Sequence, residues 1–186
     1  GADYGKDVAV DDAGNIYLTG EVYDAYAGSR DLIVQKYSPD GQQLLLDKRW
    51  DNDITAEYGA AIALDANGRI YLTGYVNAFQ STFAVTPDAL QPVCGVERAG
   101  ETMRSCGDDA FLVILEPNGA VRYASYLGGY AGDMGVDLAL DGKGNIYVVG
   151  TTSSADFPTT GSALQPGCQA DPLLGDCYFD IFVTKF

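Results

Sequence analysis

The sequence predicts an all-β protein made of β-propeller-type blades, in three repeats of four antiparallel strands with the last blade lacking its fourth strand. Two observations lead to this prediction. One ten-residue phrase occurs three times, at 11–20, 65–74 and 141–150, and self-similarity on this scale is typical of repeat architectures. The composition, with 13 Tyr and 23 Gly among 186 residues, favours strands over helices.

Each repeat opens with two short strands joined by a tight turn. The first strands are expected at 7–10, 61–64 and 137–140. The second strands begin with Ile-Tyr and end at a glycine, where a bend or a close backbone approach is expected. The turn between them carries a glycine at one fixed position, namely Gly14, Gly68 and Gly144. A type I turn followed by a G1 bulge requires such a residue, because glycine tolerates positive φ.

The third strand of every repeat begins with an aspartate. These strands are expected at 31–37, 109–115 and 180–186. Their nearly continuous apolar character predicts that both faces are covered. In the first two repeats a Pro-Asp-Gly or Pro-Asn-Gly turn follows, as suits a type I turn. It leads to fourth strands at 43–50 and 121–127, so that the chain has eleven strands in all.

We expect one repeat domain over residues 1–186, with its blades at about 1–53, 54–129 and 130–186. The second and third repeats are longer than the first because of two related loops between strands two and three. These loops lie at about 77–108 and 151–179. Insertions in repeat proteins collect on one face, which is often the binding face.

All four cysteines lie in these two loops, as Cys94, Cys106, Cys168 and Cys177. Four cysteines allow three pairings, and their matching places in related loops favour Cys94–Cys106 and Cys168–Cys177. Each bond would stabilise a loop without a core of its own by about 2–3 kcal/mol. Because disulfides persist in oxidising compartments, we predict a secreted protein, extracellular or on the cell surface, with the periplasm as an alternative.

The charge and the missing histidine exclude several classes of function. A net charge of −15 argues against nucleic-acid binding, which needs Lys and Arg to neutralise phosphates. No apolar stretch reaches the roughly 18–20 residues that a membrane span needs. The sequence has no histidine, which excludes nucleophilic schemes that use a histidine base and histidine-ligated zinc or iron.

Three aspartates in the repeated turns, Asp11, Asp65 and Asp141, are the candidates for a metal site. Calcium would be the metal, because it binds several carboxylate and carbonyl oxygens. The spacing of an EF-hand and its terminal glutamate are absent. The alternative is that these carboxylates accept backbone N–H groups within the turn, and this interpretation is favoured. No other cofactor and no cofactor-binding residue is predicted.

No catalytic residue is predicted. The adjacent acidic pairs at 11–12 and 108–109 resemble the acid and base of a glycosidase, but nothing fixes the separation that such chemistry needs. Asp31, Asp109 and Asp180 recur at the start of strand three, and we expect them to stabilise each blade by a hydrogen bond. Repetition itself argues against an active site, which normally breaks the symmetry of the repeats.

Four phrases of the sequence resemble the SBBP repeat, a seven-bladed β-propeller repeat of bacterial secreted and surface proteins. They are Asp-x-x-Gly-Asn-Ile-Tyr in the turns, Asp-Phe-Pro-Thr-Thr at 156–160, Asp-Ala-Phe at 109–111 and Tyr-Ala-Ser-Tyr-Leu-Gly-Gly at 123–129. The resemblance extends over essentially the whole chain. It implies an extracytoplasmic bacterial propeller module and supplies no catalytic residues.

The chain departs from a complete propeller, because closed propellers have about four to eight blades. The third repeat reaches Phe186 without a fourth strand, which leaves an open strand edge that invites pairing. Three interpretations remain. The chain is a segment of a longer propeller, a subunit completed by copies of itself, or an open stack completed by a strand from elsewhere. Its expected partners are proteins or copies of itself at this edge.

These observations favour a non-catalytic extracellular scaffold or interaction module, a building block of a cell-surface or polymeric assembly. We therefore expect that the protein is not an enzyme. The alternative is a protein that binds a ligand such as a carbohydrate on a propeller face, or an enzyme of the hydrolase type. That alternative predicts an asymmetric cluster of polar residues around a pocket in one blade.

Overall fold

The computed structural model describes residues 2–26, 28–50, 56–77, 83–95, 107–168 and 177–186. Within these ranges there is no helix, and hence none long and apolar enough to cross a membrane. The strands are β1 (Tyr4–Val10), β2 (Ile16–Tyr23), β3 (Arg30–Tyr37), β4 (Leu44–Arg49), β5 (Ala56–Leu64), β6 (Ile70–Asn77), β7 (Asp108–Leu115), β8 (Val121–Leu127), β9 (Asp133–Leu140), β10 (Ile146–Thr152) and β11 (Asp180–Lys185).

The strands form three antiparallel sheets, one for each repeat. Blade 1 has the order β1-β2-β3-β4, blade 2 the order β5-β6-β7-β8, and blade 3 the order β9-β10-β11. Each strand pairs with its neighbours in sequence, which is the connection found in propeller blades. The predicted all-β fold, with two blades of four strands and one of three, is confirmed.

The first turn of each blade closes on the predicted glycine. Its φ is 83° at Gly14, 76° at Gly68 and 90° at Gly144, a region that a side chain with a Cβ rarely enters. The glycine N–H donates to the carbonyl oxygen of the aspartate three residues earlier, at 2.9 to 3.2 Å. The predicted turn glycines are therefore confirmed.

The glycine in the second strand of each blade lies against the backbone of the first strand. A Cβ on Gly20, Gly74 or Gly150 would stand about 2 Å from a carbonyl oxygen of the neighbouring strand. The oxygens concerned belong to Tyr4, Tyr58 and Met134. The sequence predicts a bend or a close backbone approach at these glycines, and the structure shows the close approach.

Two apolar layers join the three sheets. The first lies between blades 1 and 2 and contains Tyr17, Leu32, Val34, Trp50, Ile62, Ile70, Leu72, Val76, Phe83, Cys94, Phe111, Val113, Leu115, Ala124 and Tyr126. The second lies between blades 2 and 3 and contains Ala61, Tyr71, Ala110, Leu112, Leu127, Leu138, Ile146, Val148 and Phe182. The core of the protein is thus the set of contacts between blades, as expected of stacked repeats.

The third strands differ in how much of their surface is covered. β3 and β7 contain continuous runs of buried residues, as the sequence predicts. In β11 the burial alternates, and Ile181 and Val183 are exposed. The prediction that both faces of this strand are covered is therefore wrong for blade 3, because one face of β11 lies on the outside of the stack of described residues.

Candidate functional site

The turn aspartate of blade 1 is fully engaged within its own turn. Asp11 Oδ1 accepts the backbone N–H groups of Ala13 at 3.0 Å and Asn15 at 2.8 Å. Asp11 Oδ2 accepts the side-chain amide of Asn15 at 2.8 Å and the hydroxyl of Tyr17 at 3.2 Å. These bonds, above all the one from the Asn15 side chain, lower the pKa of Asp11.

The same arrangement recurs in blade 2. Asp65 accepts the backbone N–H groups of Asn67 at 2.8 Å and Arg69 at 2.9 Å, and the hydroxyl of Tyr71 at 3.1 Å. Burial alone would raise the pKa of Asp65, but these hydrogen bonds hold it below its ordinary value. The Arg69 guanidinium also lies 3.8 Å from Asp65 Oδ2 and 3.5 Å from a Glu116 carboxylate oxygen.

Blade 3 repeats the pattern once more. Asp141 Oδ1 accepts the backbone N–H groups of Lys143 and Asn145, both at 2.9 Å. The Asn145 side chain and the Tyr147 hydroxyl donate to Asp141 Oδ2, and the bond from the Asn145 side chain contributes most to a lowered pKa of Asp141. The three bonding patterns support the interpretation of these aspartates as structural parts of their turns.

Two of the three calcium candidates meet at one groove. The groove has a volume of about 340 Å³, lies between the first turns of blades 2 and 3, and is lined by both Asp65 and Asp141, whereas Asp11 is not among its lining residues. Calcium binds six to eight oxygens. In the ranges that the structure describes, no group of three or more His, Cys, Asp or Glu residues could hold a metal ion.

A pair of buried carboxyl groups lies between blades 2 and 3. Asp109 is the second residue of β7, Asp133 is the first residue of β9, and neither is exposed to solvent. The chain between the two blades passes against both carboxyl groups at Gly128. A Cβ on Gly128 would lie 2.8 Å from Asp109 Oδ1 and 2.8 Å from Asp133 Oδ2, so that only glycine fits here without a shift of its neighbours.

Only some of the carboxylate oxygens of this pair accept hydrogen bonds. Asp109 Oδ2 accepts the N–H of Gly95 at 2.8 Å. Asp133 Oδ2 accepts the N–H of Gly129 and the hydroxyl of Ser154, each at 2.7 Å. The Oδ1 atoms of both aspartates have no hydrogen-bond partner among the described residues. Burial raises the pKa of Asp109 to about 7, with the nearby Asp133 adding to the shift, and burial also raises the pKa of Asp133.

Only one member of this pair, Asp109, was predicted from the sequence to have a structural role. A blade-stabilising hydrogen bond was expected for Asp31, Asp109 and Asp180, and Asp109 accepts a bond from Gly95 in the long loop of its blade. Asp133 was not among the predicted residues. A signal for it exists, because each repeat opens with an acidic residue two positions before a glycine, at Asp3-Tyr4-Gly5, Glu57-Tyr58-Gly59 and Asp133-Met134-Gly135.

The adjacent aspartates at 108–109 do not face one another. Successive residues of a strand point to opposite faces. Asp109 is buried, whereas Asp108 is partly exposed and accepts the side-chain amide of Asn77. The structure therefore separates the two carboxyl groups that an acid–base pair at 108–109 would need side by side.

The described part of the first long loop covers the edge of blade 2. The N–H of Thr86 donates to the carbonyl of Ala124 at 3.0 Å, and the N–H of Ala124 donates to the Thr86 hydroxyl at 3.2 Å. Further along, the N–H of Tyr126 donates to the carbonyl of Gln91 at 3.2 Å. These bonds occupy backbone groups of β8, which an uncovered edge strand would leave open to other chains.

Both long loops are attached to their blades by a phenylalanine. The ring centroids of Phe83 and Phe111 are 5.2 Å apart, and those of Phe157 and Phe182 are 4.6 Å apart. Phe111 and Phe182 occupy the same position in β7 and β11, because each pairs with the second-strand glycine of its blade. The relation between the two loops seen in the sequence therefore extends to how they pack.

One disulfide lies within the described residues. It joins Cys168 to Cys177, with 5.8 Å between their Cα atoms. Cys94 is also disulfide-bonded, but Cys106, its predicted partner, lies outside the described residues. Disulfides are typical of proteins in oxidising, extracellular environments.

Blade 1 exposes an apolar face on the side away from blade 2. Ala9 packs against the first apolar layer, and its neighbours Val8 and Val10 point the other way, 60% and 61% exposed. Ile62 has the position of Val8 in blade 2, and it is buried against blade 1. We call the side of blade 1 that carries Val8 and Val10 the blade-1 outer face.

Blade 3 exposes the corresponding face at the other end of the stack. Phe182 packs toward blade 2, whereas Ile181 and Val183 on either side of it are 79% and 68% exposed. The equivalent residues of blade 2, Ala110 and Leu112, are buried. We call the side that carries Ile181 and Val183 the blade-3 outer face.

Comparison with known proteins agrees with this architecture. The sequence model of the β-propeller repeat SBBP matches residues 1–21 and 122–158. The second match extends from β8 through β9 and β10 into the long loop of blade 3. No curated protein has significant sequence similarity to the chain. These two ranges, which together are less than half of the chain, confirm the resemblance seen in the sequence.

Proposed function

We propose that this protein is a non-catalytic extracellular scaffold that binds other proteins through the outer faces of blades 1 and 3. The proposal rests on a difference in solvent exposure between equivalent positions of the blades. Residues that are buried in blade 2 have exposed apolar counterparts in the terminal blades, as with Ala110 and Ile181. Contiguous exposed apolar surface is typical of protein–protein interaction sites.

The environment of the acidic residues supports a non-catalytic role. The turn aspartates Asp11, Asp65 and Asp141 use their carboxylate oxygens for hydrogen bonds within the turns. Asp109 and Asp133 are shielded from solvent, so a substrate would not reach their carboxyl groups. The groove between blades 2 and 3 is lined by Asp65 and Asp141, which are repeat equivalents rather than an asymmetric set of different groups.

The extracellular part of the proposal rests on the disulfide between Cys168 and Cys177. Such a bond persists outside the reducing cytosol. The charge of −15 is compatible with a soluble, secreted protein, since a large net charge opposes non-specific association.

A fluorescent dye that binds exposed apolar surface, such as bis-ANS, tests the outer faces. At a concentration where the chain is monomeric, the double substitution Ile181→Ser and Val183→Ser should reduce dye fluorescence severalfold. The matched control is Leu164→Ser, because Leu164 is fully exposed but lies in the loop. Circular dichroism verifies that each variant is folded. Equal dye binding by the wild type and the double variant would contradict the proposal.

A further inference from the structure

We infer that the edge of β4 in blade 1 is a docking site for a peptide segment of another protein. The segment forms backbone hydrogen bonds with Asp47 and Arg49 and places a carboxylate beside Lys48. Its model is the stretch at 86–91 of this chain, which occupies the equivalent edge of blade 2. The contact uses the edge of a sheet rather than an outer face, so the inference goes beyond the proposed function.

The positions of β4 correspond one to one to those of β8. Asp47 has the place in its sheet that Ala124 has in blade 2, and Arg49 has the place of Tyr126. Both fourth strands also have a register shift at the same position, close to the turn that precedes them. What one edge binds is therefore a guide to what the other can bind.

In blade 2 a neighbouring segment of the chain occupies this edge. The N–H of Thr86 donates to the carbonyl of Ala124 at 3.0 Å, and the N–H of Ala124 donates to the Thr86 hydroxyl at 3.2 Å. Two residues further along β8, the N–H of Tyr126 donates to the carbonyl of Gln91 at 3.2 Å. The outward-facing backbone groups at both positions are thus bonded.

The same backbone groups of β4 are open among the residues that the structure describes. The N–H of Trp50 donates to the carbonyl of Leu32 on β3 at 3.0 Å, and backbone groups alternate in direction along an antiparallel strand. Those of Asp47 and Arg49 therefore point away from β3, and both residues are exposed. The loop between β2 and β3, whose counterpart in blade 2 covers β8, is short in blade 1. An uncovered strand edge of this kind accepts a further segment by backbone pairing.

Lys48 determines the charge of the docked segment. It corresponds to Ser125, whose hydroxyl accepts the N–H of Gln91 at 2.9 Å in blade 2. An ammonium group has no lone pair to accept this N–H and attracts an acceptor instead. The Lys48 ammonium lies 5.1 Å from the centre of the Trp50 ring and forms no ion pair with a described residue. A carboxylate at the position of Gln91 therefore makes the segment complementary in charge to this edge.

Hydrogen exchange followed by NMR at single residues tests the inference on the folded chain. The probe is a synthetic peptide with the sequence of residues 83–93, in which Gln91→Glu supplies the carboxylate. At saturating peptide, the exchange of the Asp47 and Arg49 amides should slow by about tenfold or more, because both become hydrogen-bonded. The Lys48 amide, which points toward β3, should keep its rate. Unchanged exchange at Asp47 and Arg49 would overturn the inference.

Two controls separate backbone pairing from other modes of binding. A peptide methylated on the backbone nitrogen of its Thr86 position lacks the donor for the strand and should give no protection. The wild type should bind the Glu peptide severalfold more tightly than the Gln peptide, whereas the variant Lys48→Met, verified as folded by circular dichroism, should bind both equally.

Three results of these controls would each overturn the inference. They are protection by the methylated peptide, equal affinity of the wild type for the Glu and Gln peptides, and protection on the outer faces instead of the edge. Dye binding at the outer faces does not depend on the edge of β4, so the proposed function is tested separately.

Discussion

Individual carboxyl groups in this protein fall into two kinds, according to what surrounds them. Hydrogen bonds within the turns lower the pKa values of Asp11, Asp65 and Asp141. Burial between blades raises the pKa values of Asp109 and Asp133. The difference has a simple physical origin, because donors to a carboxylate stabilise its charge, whereas removal from water destabilises it. The first kind stabilises local turns, and we expect the second to make the contact between blades 2 and 3 sensitive to pH.

Stability should fall as the pH rises from 5 to 8. The pKa of Asp109 is about 7 in the folded chain and 3.8 as its ordinary value, so the folded state binds the proton more tightly. The stabilisation from the neutral carboxyl group of Asp109 is complete below pH 4 and is lost as the pH passes through 7. The expected loss in the free energy of unfolding between pH 5 and 8 is on the order of 2–3 kcal/mol. Urea unfolding at several pH values measures it.

Asp109→Asn should remove most of this pH dependence, because the amide does not titrate and still accepts the N–H of Gly95. The matched control is Asp12→Asn, at an exposed position, which should retain the wild-type profile. Asp133, Asp108 and Asp156 contribute further negative charge around Asp109. The lowered pKa values of the turn aspartates act at more acidic pH and do not affect this range. A wild-type stability that is constant or increases from pH 5 to 8 would refute the assignment.

The turn interpretation of Asp141 predicts a loss of stability that calcium does not alter. Asp141→Ala removes the acceptor of two backbone N–H groups and of the Asn145 side chain. We expect a lower free energy of unfolding in urea, because the substitution leaves these donors without their acceptor. Asp141→Asn retains an acceptor oxygen and should lower the free energy of unfolding by less. The thermal midpoint of the wild type should not change when calcium is added, and an increase of several degrees would favour the calcium interpretation instead.

At the scale of strands and turns, the features that depend on neighbouring residues were predictable from the sequence. Gly14, Gly68 and Gly144 close the first turns as expected, because backbone conformation at a tight turn depends on a few adjacent residues. The eleven strands follow for the same reason, although β5 begins five residues earlier than expected, at Ala56.

Features that depend on the next blade were not predictable in the same way. The proximity of Asp109 to Asp133 involves two repeats and follows from how the sheets stack. The exposure of Ile181 and Val183 was missed because an apolar strand has the same sequence pattern whether or not another sheet covers it. The long loop beside β8 was predictable in extent, but its hydrogen bonds to the strand edge were not.

At the scale of the whole molecule, the described residues form a stack of three blades with an apolar face on each side of the stack. Its stability comes from the two apolar layers between blades. The outer faces carry the positions equivalent to those in the layers, but none of the described blades covers them. A net charge of −15 per chain makes two copies repel one another. This repulsion should weaken as salt is added.

The measurement that tests the central claim most directly compares bis-ANS fluorescence of the monomeric wild-type chain with that of the variant carrying Ile181→Ser and Val183→Ser. We expect severalfold lower fluorescence from the variant, because both side chains are exposed on the blade-3 outer face. Equal fluorescence from the two folded chains would contradict the proposed binding face.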